Sequence, residues 1–139
     1  MALSHSTAQK NGTLSGSPAV GGTTYNSGKV NFDSTTPASG DAAQGTILAT
    51  VTMNATAFAA PSAGSIAANS MATASIGTTG TAATARIVQS GDTGAAVTTT
   101  QPRIQGTVGT SGTDFIVSST SFVSGGQITI TSLSYQHPA

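Results

Sequence analysis

The sequence predicts an all-β protein: a single antiparallel β-sandwich or jelly roll of about seven to nine short strands with an extended N-terminal arm. Three observations predict it. Apolar and polar residues alternate in short runs, Gly, Pro, Asn and Asp recur at intervals of roughly 8–12 residues, and no stretch has the apolar period of an amphipathic helix. We expect an arm over 1–28 and one β-sandwich domain over 29–139.

The arm is expected from composition. Residues 2–28 are rich in Ser, Gly, Thr and Asn, with Leu3, Leu14, Val20 and Tyr25 as scattered apolar residues. Such a segment is either a disordered terminus or an arm that a neighbouring subunit orders.

Two strands are expected in the first half of the domain. Lys29–Asp33 places Val30 and Phe32 on one face. Residues 46–53 alternate apolar residues with Thr, which predicts a half-buried strand because Thr favours strands and stays hydrated. The residues between these strands, 34–44, form a loop.

Weaker strand patterns follow a connection over 55–68. They cover 70–76, 84–89 and 103–108. Residues 97–100 favour a short edge strand, closed by Pro102, which has no N–H to donate to a ladder.

The strongest strand–turn–strand pattern lies at 108–135, with Gly125 and Gly126 at the turn. In the strand expected at 127–135, Ile128 and Ile130 have one parity, whereas Leu133 and Tyr135 have the other. A regular strand cannot bury all four on one side. We therefore expect a bulge at residues 131–132, or an end that turns toward a neighbour.

The composition restricts the function. Charged residues are 6% of the chain, Glu is absent and the formal net charge is zero. Four basic residues cannot form a phosphate-neutralising stripe, so we expect no nucleic-acid partner. No apolar run reaches the length of a membrane helix, so we expect no membrane partner either. Zero Cys excludes disulfides and thiolate catalysis. Large apolar residues are few, which predicts a thin core stabilised by neighbouring subunits.

The titratable residues suggest no catalytic site. No acid–base pair, nucleophile motif or phosphate loop occurs, so we expect no enzyme activity, no cofactor and no metal. Asp92 and Asp114 stand beside glycines, where Asp usually caps the backbone and rarely binds Ca²⁺.

The aromatic residues divide into two groups. The phenylalanines are expected in the core, and the tyrosines are expected at an interface. The full set of predicted interface residues is Leu3, Leu14, Val20, Tyr25, Val97, Leu133 and Tyr135.

Three blocks of sequence resemble short bacteriophage virion proteins. The first is PASGDAAQGTILATVT at 37–52 with Phe58, and the second is TARIVQS at 84–90. The third combines VGTSGTD at 108–114, STSFVSGG at 119–126 and the ITS that begins at Ile130.

The resemblance implies a structural component of a phage particle, made in the host cytoplasm and located in the virion. It implies a capsid decoration or cement protein, or part of the tail. Its partners would be the major capsid protein, other virion proteins and its own copies. The alternative from another class is a carbohydrate-binding module for host attachment, with Tyr25 or Tyr135 stacked on a sugar ring.

Overall fold

A computed structural model describes residues 3–8, 22–63 and 65–136. These residues contain twelve strands, several of only two residues. The strands are β1 (Ser4–His5), β2 (Lys29–Asp33), β3 (Ile47–Thr52), β4 (Ser65–Ala67), β5 (Ala74–Ser75), β6 (Gly80–Thr81), β7 (Thr84–Val88), β8 (Arg103–Gly109), β9 (Phe115–Val117), β10 (Ser121–Phe122), β11 (Gln127–Ile128) and β12 (Ile130–Gln136).

One eight-stranded sheet dominates the fold. Its order is β3-β2-β7-β8-β9-β12-β4, with β1 paired to β8 off this path, and β10-β6 and β11-β5 form two small ladders. The sheet is mixed, because β8 and β9 run parallel, and it curls into a half-barrel. The all-β prediction is confirmed. The single antiparallel arrangement is corrected, and the curled sheet does not confirm a jelly-roll sandwich.

The central strands β2, β7 and β8 have two different faces. On one face Val30 lies opposite Ile87, which lies opposite Ile104. These side chains alternate with polar ones and point into the apolar core. All five residues of β7 are buried, so the second face is covered as well.

The phenylalanine prediction is confirmed. Phe32 and Phe115 are 0% exposed, Phe122 is 1% and Phe58 is 4%. The ring centroids of Phe32 and Phe122 lie 5.3 Å apart and the rings are tilted, which is a favourable geometry for an aromatic pair. They pack within the same cluster as the apolar face of the central strands.

The predicted bulge in β12 is confirmed. Ile130 lies opposite Val117 and Ser132 opposite Ile116, so the register shifts across Thr131. This extra residue reverses the parity of the strand, and Ile130 and Leu133 are therefore both buried.

The turn at Gly125 is also present, but the strands around it pair differently from the prediction. Gly125 has φ +85°, and the Gly126 N–H donates to the Val123 carbonyl at 2.9 Å. The flanking strands do not pair with each other, because β10 pairs with β6 and β11 pairs with β5. The strand expected at 127–135 is interrupted at Thr129.

Two further predictions from the sequence are corrected. Residues 97–100 form a loop instead of an edge strand, because Thr98 N–H donates to the Asp41 carbonyl at 3.0 Å and Thr98 Oγ1 accepts from Thr100 N–H at 3.2 Å. The connection expected over 55–68 contains the strand β4, which pairs with β12.

The parallel pairing of β8 and β9 depends on a short loop. Val108 lies opposite Phe115 although only six residues separate them along the chain. The carboxylate of Asp114 accepts hydrogen bonds from Thr107 N–H and Oγ1, both at 2.9 Å. These bonds hold the loop against the edge of β8.

We predict that Asp114→Ala lowers the free energy of unfolding by about 1–3 kcal/mol, because the Thr107 N–H loses its acceptor. Urea denaturation measures this change. Ser111→Ala, an exposed substitution in the same loop, should shift the midpoint by far less. Equal destabilisation by the two variants would contradict this role of Asp114.

Candidate functional site

The polar face of the central strands carries a fully buried arginine. Arg86 is 0% exposed, and its Nε and Nη2 donate to Gln105 Oε1 at 3.2 and 2.5 Å. Its Nη1 donates to the carbonyls of Ala42 at 2.6 Å and Gly94 at 3.3 Å, and its Nη2 donates to that of Ser39 at 3.1 Å. One side chain therefore joins two loops to the sheet.

The guanidinium of Arg86 donates these five hydrogen bonds to neutral acceptors alone. Burial, followed by repulsion from Arg103, lowers the pKa of Arg86 to about 10. The group is still charged at neutral pH, and a buried charge is costly unless it is hydrogen-bonded. The four acceptor oxygens around it are thus a structural requirement.

A second buried arginine forms an ion pair. Arg103 Nε lies 2.6 Å from Asp92 Oδ2, and Arg103 Nη2 lies 2.8 Å from Asp92 Oδ1. Burial alone would raise the pKa of the Asp92 carboxyl, but the hydrogen bonds from Arg103 and from Gly94 N–H outweigh it and hold the pKa below its ordinary value. Arg103 Nη1 also donates to the Ala96 carbonyl at 2.9 Å, so this pair fixes the loop between β7 and β8.

The acidic side chains cap the backbone. Asp33, which is 0% exposed, accepts from Thr35 N–H at 2.7 Å and Gly45 N–H at 2.8 Å. The expected capping by Asp92 and Asp114 is confirmed by their bonds to Gly94 and Thr107. Within 3–8, 22–63 and 65–136, no group of three or more His, Cys, Asp or Glu residues is placed to hold a metal ion.

These internal contacts remove most of the described charged side chains from the surface. Eight residues carry a formal charge, and Lys10 is the one that lies outside the described residues. The other seven are buried or half-buried. The low charge of the sequence thus becomes an even lower charge at the surface.

The predicted interface residues lie in different environments. Val97 is 73% exposed, and Val123, which sequence analysis did not single out, is 60% exposed. Leu3 is half-buried against the core. Tyr135 is half-buried and stacks on His5 with ring centroids 5.6 Å apart.

Two predicted interface residues are core residues of their own chain. Tyr25 is 0% exposed and packs edge-on against Phe58, with ring centroids 6.5 Å apart. Burial raises the pKa of its phenol well above the ordinary value. Leu133 is 6% exposed, because the bulge turns it inward. Leu14 and Val20 lie outside the described residues.

A polar cleft of about 600 Å³ lies beside the turn that contains Tyr25. Its lining side chains are uncharged, and sequence analysis did not identify it because its residues come from three separate segments. They are Thr23, Thr24, Asn26, Gln89, Ser90, Gly91 and Gln101.

Comparison with known proteins identified no matching family model, curated protein or solved structure. In the part of the chain that the structure describes, no helix has the length and apolar character needed to cross a membrane.

We predict that Arg86→Lys lowers the free energy of unfolding by about 3 kcal/mol or more, although it keeps the charge. A lysine ammonium cannot reach the separate acceptors at Gln105, Ala42 and Ser39 together. Urea denaturation followed by circular dichroism measures the loss, with Lys29→Arg as the control for a Lys–Arg difference. A shift no larger than that of the control would contradict the role of the guanidinium.

We predict that the ion pair makes stability pH-dependent. Because the pKa of Asp92 is lower in the folded state, its contribution is complete above the unfolded pKa of about 4 and is lost as the pH falls through the folded value. Asp92→Asn should therefore destabilise strongly at pH 7, by about 3–5 kcal/mol. The difference from the parent chain should shrink below about pH 4. A difference in unfolding free energy that stays constant between pH 7 and pH 2.5 would contradict the stabilising role of the ionised Asp92 carboxylate.

Proposed function

We propose that the chain is a non-enzymatic structural protein of a bacteriophage particle, a decoration or cement protein that stabilises the capsid through protein–protein contacts. Its partners are the major capsid protein or other virion proteins and its own copies. The proposal is supported by the resemblance of three sequence blocks and by the surface of the folded chain.

The observation that carries the proposal is the neutral surface. All four aspartates bind backbone N–H groups of the chain itself, and both described arginines are buried. Copies packed side by side in a lattice therefore meet little charge repulsion and desolvate few ions on contact. Val97 and Val123 add exposed apolar area to this surface, which suits contact with protein.

The alternative is a tail-associated or host-attachment module that binds carbohydrate. The polar cleft favours it, because its hydroxyl and amide side chains match the hydrogen-bonding groups of a neutral sugar. Tyr25 is buried in the core and cannot stack on a ligand there, which leaves Tyr135 as the candidate aromatic.

Quantitative mass spectrometry of purified particles tests the proposal. We expect many copies of the chain in a simple ratio to the major shell protein. A few copies per particle would indicate a tail or vertex location, and absence from the particle would overturn the virion proposal.

We also predict that Val97→Asp lowers the copy number at least several-fold, because the new charge must be desolvated in the contact. Thr110→Asp, which adds the same charge at an exposed site in another loop, is the control. Unfolding curves confirm that both variants fold. Unchanged incorporation of Val97→Asp would exclude this valine from the contact.

A further inference from the structure

The N-terminal segment, residues 3–8, lies in a groove on the edge of β8. Ser4 lies opposite Gln105 and His5 opposite Ile104, in antiparallel register. The segment therefore adds a strand to a sheet edge, which is a common way to bind an extended peptide.

The next two residues are held by hydrogen bonds of defined geometry. Ser6 is 0% exposed; its N–H donates to the Arg103 carbonyl at 3.0 Å, and its Oγ accepts from Arg103 N–H at 2.9 Å. Ser6 Oγ also donates to the Gln101 carbonyl at 3.0 Å. Thr7 N–H and Oγ1 donate to the two carboxylate oxygens of Asp41, at 2.7 and 2.5 Å.

Two glycines leave the space that the segment occupies. A Cβ on Gly40 would lie 2.5 Å from Ser6 N, and a Cβ on Gly106 would lie 2.7 Å from Leu3 Cδ2. The contacts of Gly40 are with backbone atoms and are shorter than real Cβ atoms show, so a larger residue at Gly40 would force the segment to move. The contact of Gly106 is with the flexible end of the Leu3 side chain, which a larger residue would displace. The groove is thus shaped for these six residues.

The connection between the segment and the rest of the domain is long. Thirteen residues, 9–21, join Ala8 to Gly22, and a chain of that length spans up to about 45 Å. The hydrogen bonds of the segment are made within the groove, so the same residues of a second copy would make all of them equally well. Exchange of an identical element between copies therefore has a low free-energy cost.

We propose that this groove binds residues 3–8 of a second copy when copies are concentrated, so that neighbours in an assembly are joined by exchanged N-terminal strands. The thirteen-residue connection limits the effective concentration of the chain's own segment to roughly 1 mM, and copies packed in a lattice reach similar local concentrations. Exchange deepens the proposed function by specifying how copies of the chain are joined. It rests on that function only for the claim that exchange takes place in a phage particle.

Disulfide trapping tests the proposal, since the chain contains no cysteine. Thr7→Cys and Asp41→Cys are made in separate full-length chains, mixed and oxidised. Because the side chains of Thr7 and Asp41 are in contact, a disulfide between the two chains forms when a segment lies in the groove of another copy. In an equal mixture, where half of the exchanged dimers pair one variant with the other, we expect this dimer to rise from about 1% at 10 µM to about a quarter of the protein near 1 mM.

Two matched variants of the Asp41→Cys chain identify the groove as the binding site. Gly40→Ala should reduce the cross-linked dimer at least tenfold, because its methyl group occupies the position of Ser6. Gly91→Ala, where a Cβ meets no atom within 4 Å, should leave it unchanged. A mixture of the Thr7→Cys chain and a Thr110→Cys chain is the control, and its cross-linked fraction measures disulfide formation by random collision.

Cross-linking at the collision level over this whole concentration range would overturn the exchange proposal, as would full cross-linking in Gly40→Ala. A chain in which Thr7→Cys and Asp41→Cys are combined shows, by its intramolecular disulfide, that the groove has formed. The outcome is separate from the copy number in particles: exchange in the pure protein with no copies in the virion would overturn the proposed function alone.

Discussion

The guanidinium of Arg86 determines how the polar face of the sheet is covered. In a sandwich, a second sheet would pack on that face with apolar side chains. Here the loops containing Ser39, Ala42 and Gly94 cover it, and their carbonyl oxygens satisfy the buried charge. Transferring a cation from water to the protein interior costs several kcal/mol unless acceptors surround it. The loops that supply these acceptors therefore have few alternative positions. A chain poor in large apolar residues thus fixes its second layer by hydrogen bonds.

The same kind of hydrogen bonding explains how a chain with so few charged residues is held together by them. Asp33, Asp41 and Asp114 each accept a hydrogen bond from a backbone N–H of another segment. Asp92 accepts one from Gly94 N–H in its own loop, and Arg103 neutralises it. Charges used in this way stabilise the fold and leave the surface without the repulsion that usually keeps copies apart. A surface with a net charge near zero opposes association between copies less than a strongly charged one does.

The sequence predicted features that depend on local pattern. Alternation identified β2, and the opposite parities of Ile130 and Leu133 identified the bulge in β12. It did not predict the parallel pairing of β8 and β9 or the loop at 97–100, because strand partners are set by contacts distant in sequence.

The polar layer, by contrast, had a signal that sequence analysis did not use. Asn31 and Arg86 each stand between two apolar residues in a strand pattern, and Gln105 follows Ile104; a polar residue in that position points away from the apolar face. Three such residues on strands that prove to be neighbours form one layer. The burial of Tyr25 in the core was not predicted, because a single aromatic residue in a Gly/Ser-rich stretch carries no periodicity that would indicate burial.

The buried layer and the N-terminal groove share their supports. The carbonyls of Ser39 and Ala42, which bind Arg86, flank Gly40 and Asp41, which contact the N-terminal segment. Arg103 holds Ser6 with its backbone and Asp92 with its side chain. Buried guanidinium groups fix both walls of the groove. The walls therefore lose little conformational freedom when a strand binds there. A rigid polar interior therefore makes a pre-organised edge, which residues 3–8 fill.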